Sequence, residues 1–198
     1  MKKSMIAIFA IVAVVMLLAL WGVSVNNRMV TQDEAVSKAW SQVENVYQRR
    51  NDLIPQLVNT VKGAANFESN TFTAVVEARS RATAVNIDAN NLSEQNVAAF
   101  QKAQDEITSA LGHALTVTVE RYPDLAATQA FRDLQTQLEG TENRISVERM
   151  NFNNAVQSYN TMIRRFPNSV IAAIAGFEKK GYFTSISGAE TPVEVSFD

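Results

Sequence analysis

The 198-residue chain predicts an all-α protein, an N-terminal transmembrane helix followed by a long antiparallel four-helix bundle. Three observations carry that prediction. An uninterrupted apolar run extends from Met5 to Val25, apolar residues behind it recur at spacings of three and four, and breakers are few, with 7 glycines and 4 prolines.

The apolar run holds 21 residues. At about 1.5 Å per residue it spans a hydrocarbon core of about 30 Å. A cleaved secretory signal also begins basic, as Lys2 and Lys3 do, and Gly22-Val23-Ser24 has the small residues of a cleavage site. Its apolar centre, however, lasts only about 7–15 residues. Trp21 and Val25 also suit a helix meeting the headgroup layer, so the run reads as an uncleaved membrane anchor that begins at Met5. Lys2 and Lys3 precede it, and only Arg28 follows closely, ahead of Asp33 and Glu34. The positive-inside rule then makes residues 1–4 a short cytoplasmic N-terminus, with 5–25 crossing and the main domain outside. The chain has no cysteine, which excludes disulfides, thiolate metal sites, a cysteine nucleophile and a lipoprotein-type anchor.

The remainder is mildly acidic. Its basic residues number 18 in the whole chain, two of them Lys2 and Lys3, against 20 acidic ones, and no single-sign block stands out. Nucleic acid is therefore not expected as a partner. One domain, residues 26–166, accommodates the helical pattern, and 167–198 reads as a short helix and an extended tail.

The first long helix places Val36, Trp40, Val43, Tyr47, Arg50, Ile54, Leu57 and Val61 on a strict heptad seam. Thr31-Gln32-Asp33-Glu34 has the form of a capping box and marks a start near residue 31. The alternative is a membrane helix running straight on through Asn26 and Asn27, a rod of about 90 Å to Phe67. Pro55 lacks an N–H and disfavours helical geometry at Ile54, so a kink is expected there. A second helix, about Ser69 to Asn86, carries Phe72, Val75, Arg79 and Ala82 on one side, and 86–91 is its loop. Ser93 caps a third, whose stripe is Val97, Phe100, Gln104, Ile107, Leu111, Ala114 and Thr118, ending at Tyr122-Pro123-Asp124. The fourth reads Phe131, Leu134, Leu138, Glu142, Ile145, Arg149, Phe152, Val156, Tyr159, Ile163 and Phe166, closed by Pro167. One extra residue near Glu142 unwinds its supercoil locally. Four amphipathic helices bury their stripes most economically against one another, as an antiparallel bundle. Beyond Pro167, residues 171–175 suit a short helix, and Phe177, Tyr182 and Phe183 are expected to tack the tail onto the bundle.

Charges interrupt these stripes at Arg50, Arg79, Glu142 and Arg149. A buried unpaired charge costs several kcal/mol, so each needs a partner. Candidates are Glu142, Glu148, Glu68 and Glu77, and the expected pair joins Arg50 or Arg79 to Glu142. A structural polar layer fixing helix register is one reading; a ligand or partner site in the bundle is the other. Asn153 and Asn160, seven apart, share a side of the fourth helix and are expected to bond across to a neighbouring helix. His113 is the single histidine and no Glu-x-x-His accompanies it, so no metal site or other cofactor is expected. Without Ser-x-x-x-Lys, Gly-x-Ser-x-Gly or a phosphate-binding glycine loop, no catalytic residue is expected and the chain does not read as an enzyme.

The residues quoted resemble the LemA family. The signature comprises Asn27-Arg28-Met29-Val30, Ala39-Trp40, the run from Arg49-Arg50 through Asn51-Asp52-Leu53-Ile54-Pro55-Gln56-Leu57-Val58, Val61-Lys62 and Glu68. Glu77-Ala78-Arg79 resembles the family's alanine-arginine element. Glu139, Glu142, Ile145, Arg149, Asn153, Tyr159, Asn160, Phe166-Pro167 and Gly176-Phe177 resemble its fourth-helix and closing pattern. Phe152 stands where the family often carries tyrosine. The resemblance, over about residues 5–183, implies a single-pass protein of the bacterial inner membrane, its bundle on the periplasmic side by the charge rule. It supplies no enzymatic activity and implies links to envelope stress, membrane proteases and, through a magnetosome relative, membrane shaping.

The leading functional expectation is a scaffold at the bilayer that forms homo-oligomers or holds partners. An adaptor of a membrane protease or envelope-stress complex, with a flexible 181–198 tail facing its partner, is the second. A small-molecule sensor or enzyme built on the arginine and glutamate layer is the third.

Overall fold

The computed structural model describes residues 2–63 and 69–184. These form six helices and no strand among the described residues: α1 (Lys2–Lys62), α2 (Ser69–Ala84), α3 (Glu94–Arg121), α4 (Pro123–Ala126), α5 (Gln129–Arg164) and α6 (Asn168–Ala175). The described residues divide into two compact units, one of residues 2–53 with 136–180, the other of 54–63, 69–135 and 181–184.

In the first unit α1 contributes Val25, Met29, Val36, Trp40, Val43, Tyr47 and Arg50 to the interior, and α5 contributes Ile145, Phe152, Val156, Tyr159 and Ile163. These are helical spacings, so each helix turns one stripe inward. Trp40 and Phe152, both fully buried, meet edge to face with centroids 5.4 Å apart, a geometry aromatic quadrupoles favour. A phenolic hydroxyl at position 152 would enter this buried contact.

Helix α1 has no start at residue 31. It is one helix of 61 residues, and Thr31 Oγ1 donates to the Asn27 carbonyl at 2.9 Å instead of capping anything. The buried positions explain why: Val25, Met29 and Val36 carry the apolar stripe across the polar Asn26-Asn27-Arg28 stretch, so packing keeps the chain helical where local sequence offers an exit. Pro55 lies inside α1, which continues to Lys62.

In the second unit α2 packs on α3. Phe72, Val75, Ala78 and Ala82 of α2 are buried, as are Val97, Phe100, Gln101, Gln104, Ile107, Leu111, Ala114 and Thr118 of α3. The end of α1 adds Ile54, Leu57, Val58 and Val61, and the start of α5 adds Phe131 and Leu134. α2 stops at Ala84, two residues before the expected Asn86. Asp88 organises the following loop, its carboxylate accepting from the Asn90 amide at 2.9 Å and its carbonyl from the Asn91 N–H at 2.8 Å, the local turn that aspartate favours. Ser93 caps α3 through Oγ, which accepts from the Asn96 N–H at 3.2 Å.

The fourth long helix also ends earlier than expected. α5 stops at Arg164, and Phe166, placed on the inner stripe by its spacing, is 84% exposed. Pro167 disfavours helical geometry at the residue before it, so the stripe is lost at Phe166. After α6, Gly176 takes the left-handed conformation at φ 77° and ends the helix, the Phe177 N–H donating to the Ala172 carbonyl at 3.0 Å.

Candidate functional site: the buried polar contacts

The first unit holds two buried polar clusters. In one, Arg50 Nη1 lies 2.9 Å from Glu142 Oε1. The arginine side chain is 1% exposed and the glutamate 36%, so the pair straddles the boundary of the core. The Arg50 guanidinium also lies 5.0 Å from the Tyr47 ring centroid, one turn away. Arg149 sits half-buried seven residues after Glu142, on the same side of α5. Arg79 belongs to the other unit, where its Nε is buried and finds no partner among the described residues.

The second cluster surrounds the segment after α6. Asn160, 2% exposed, donates from Nδ2 to the Lys180 carbonyl at 2.8 Å and accepts the Lys180 N–H at 3.0 Å. This amide, expected to bond to a neighbouring helix, grips non-helical backbone instead. An asparagine side chain carries the same donor and acceptor as a peptide group and so satisfies both backbone groups of one residue. Asn153 is half-buried one heptad earlier. The Lys180 ammonium reaches Asp33 Oδ1 at 2.6 Å and lies 5.4 Å from the Tyr159 ring centroid. Tyr159 donates its hydroxyl to the Glu178 carbonyl at 2.9 Å and meets Phe177 edge-on at 6.5 Å. Burial first, then the negative charges of Asp33 and Glu178, pushes the Tyr159 phenol up to about 12. It therefore remains a donor through neutral pH.

In the second unit, residues 181–184 are held by the same logic. The Gly181 N–H donates to the Leu92 carbonyl at 2.8 Å, and a Cβ on Gly181 would come within 2.6 Å of Glu94 Cα. Gln101 donates from Nε2 to the Thr184 carbonyl at 2.9 Å and accepts the Thr184 N–H at 3.0 Å, while Phe183 packs edge-on to Phe100. The expected free tail from Gly181 is thus bound over its first four residues, and the rest lies outside the described residues.

Asp33, Lys180, Gln101 and Gly181 were not singled out by the sequence. Asp33 reads as part of a capping box, Lys180 is given no role, and Gln101 lies one position off the apolar stripe. Of the other candidate partners, Glu148 accepts from Asn151 at 3.0 Å and Glu77 lies 4.0 Å from Arg81, while Glu68 lies outside the described residues. His113 is exposed. Among the described residues no cluster of three histidine or carboxylate groups is placed to hold a metal.

Burial also raises the Glu44 carboxyl above its ordinary value, and a hydrogen bond with the Trp40 side chain opposes the rise. A raised carboxyl destabilises the fold once it ionises, and the cost disappears below the unfolded value, where both states hold the proton. Glu44→Gln is therefore expected to raise the urea midpoint at pH 7, with the gain shrinking as pH falls toward about 4. A gain independent of pH would assign the effect to something other than charge burial.

Helix α1 carries a continuous apolar stretch with no buried residue. Met5 is 54% exposed, Leu17 66% and Trp21 39%, whereas Val25 is buried. The class is thus a protein all-helical among its described residues, with one helix there long and apolar enough to cross a membrane. The LemA family profile matches residues 39–197, and the chain belongs to that family. It is 26% identical to magnetosome protein MamQ 2 of Paramagnetospirillum magneticum, covering 84% of this chain and 67% of the relative. It is 32% identical to magnetosome protein MamQ of Magnetospirillum gryphiswaldense, over 43% of this chain and 31% of the relative. Protein LemA of Metamycoplasma hominis is 24% identical, with 74% of this chain and 63% of the relative covered.

Proposed function

We propose that this protein is a non-catalytic scaffold anchored in the bacterial inner membrane, where it self-associates or holds partner proteins close to the bilayer. The observation that supports this reading is the continuity of α1, which passes from the exposed apolar run into the packed helix without a break. An anchor and a folded body sharing one helix leave no flexible linker, so the anchor sets how the body stands on the membrane. Residues 5–25 are the proposed crossing segment, Lys2 and Lys3 favour a cytoplasmic N-terminus, and the body then lies in the periplasm. The four long helices, each with one buried stripe, are proposed to pack as an antiparallel bundle. Envelope stress or membrane shaping is the setting we assign to this scaffold; two of the relatives are named as magnetosome proteins.

The test is the native mass of the full-length protein extracted in mild detergent, with every polypeptide in the particle identified. A homogeneous self-assembly is expected. One or a few copies bound to another membrane protein would replace the scaffold with an adaptor of a protease or quality-control complex.

A further inference from the structure

Helix α6 is inverted for a helix that faces water. Its inner side is made by Ala172, buried, and Ile171, half-buried, while Val170, Ala173 and Ile174 turn outward. Val170 is 50% exposed and Ile174 80%, and Phe166, four residues ahead of Val170, adds a ring that is 84% exposed. The eight residues of α6, Asn168–Ala175, include no charge. A surface helix normally keeps its polar residues outside. Isolated exposed apolar side chains are ordinary, but a contiguous stripe of them marks an interaction surface.

The location of the stripe says what covers it. Ile171 Cδ1 lies over Gly22, close enough that a Cβ on that glycine would come within 3.6 Å. Gly22 belongs to the last turns of the apolar run, where Leu20, Trp21 and Val23 are exposed, and Val25 three residues on is buried. α6 is therefore docked where the exposed apolar part of α1 gives way to the packed part. Trp21 is the residue type enriched at the headgroup level. Arg164 and Arg165 before α6 and Lys179 after it are exposed cations that suit anionic headgroups.

We propose that α6 and Phe166 lie in the headgroup–acyl boundary of the bilayer that α1 crosses, with Val170, Ala173 and Ile174 turned to lipid. The inference rests on the reading of α1 as the anchor given above. Short apolar faces of this kind sit about 5–10 Å into the boundary. The protein then holds the membrane twice, by a crossing helix and by a surface helix packed against its exit.

The chain has no cysteine, so single spin labels can be placed on the full-length protein by Leu17→Cys, Ile174→Cys and Met150→Cys. Met150 on α5 is 57% exposed and serves as the water reference. In vesicles of phosphatidylethanolamine and phosphatidylglycerol, the ratio of oxygen to nickel-chelate collisions at position 174 is expected to exceed that at 150 several-fold and to approach that at 17. A ratio at 174 equal to that at 150, with 17 reading lipid, would overturn the surface helix and leave the anchor standing. A label at 174 shielded from both reagents would mean that protein covers the face, and would also overturn it. A watery reading at 17 would remove the anchor and this proposal together.

Discussion

Glu142→Leu is expected to cost about 3 kcal/mol, because it strands the Arg50 guanidinium, whose side chain is 1% exposed, without its carboxylate. The opposite deletion is milder. Arg50→Met leaves Glu142, 36% exposed, where water reaches it, so a cost of about 1–2 kcal/mol follows from lost pairing alone. The combination Arg50→Met/Glu142→Leu removes both charges from the low-dielectric interior and substitutes apolar groups, a replacement that is often neutral. Urea unfolding of the four proteins, followed by helix signal, gives the coupling. The expected result is a double variant close to wild type. A double variant as unstable as Glu142→Leu would mean that the pair's shape, and not its charge balance, is what the core requires.

The apolar stripes of α1 and α3 were legible, and that of α5 as far as Ile163 but not at Phe166. Every residue on the expected seam of α1 from Val36 to Val61 is buried, as is every residue of the α3 stripe from Val97 to Thr118, because a helical period of 3.6 converts spacing directly into sidedness. Boundaries were legible only where a local device decides them. Ser93 caps α3 and Gly176 stops α6, whereas the capping box at Thr31 was overridden by the apolar residues that flank it on both sides. The same limit applies to the polar contacts. Arg50 with Glu142 follows from two charges on apolar faces that each need a partner. Asn160 with Lys180, and Gln101 with Thr184, join side chains to backbone, and backbone groups carry no residue-specific signal. Nothing in a sequence period distinguishes an amide that bonds a neighbouring helix from one that bonds a non-helical segment.

Asn160→Leu tests that second kind of contact and is expected to cost about 2–4 kcal/mol, since it leaves both the N–H and the carbonyl of Lys180 buried without a partner. The effect concentrates on residues 177–180, whose amides should exchange hydrogen faster and whose Lys179 and Lys180 bonds should become accessible to trypsin at urea concentrations well below unfolding. Asn160→Asp is the discriminating control. It keeps an acceptor for the Lys180 N–H, loses the donor to the Lys180 carbonyl, and adds negative charge near the Asp33–Lys180 pair, so it should fall between wild type and leucine. α6 lies between the end of α5 and this segment, so releasing 177–180 removes the restraint on its C-terminal side and leaves α6 held by its own inner residues, buried Ala172 and Ile171 over Gly22. If Asn160→Leu unfolds at the wild-type midpoint with unchanged trypsin resistance, the Asp33–Lys180 ion pair and the Tyr159 contacts hold the segment without the amide, and the amide pair is incidental to it.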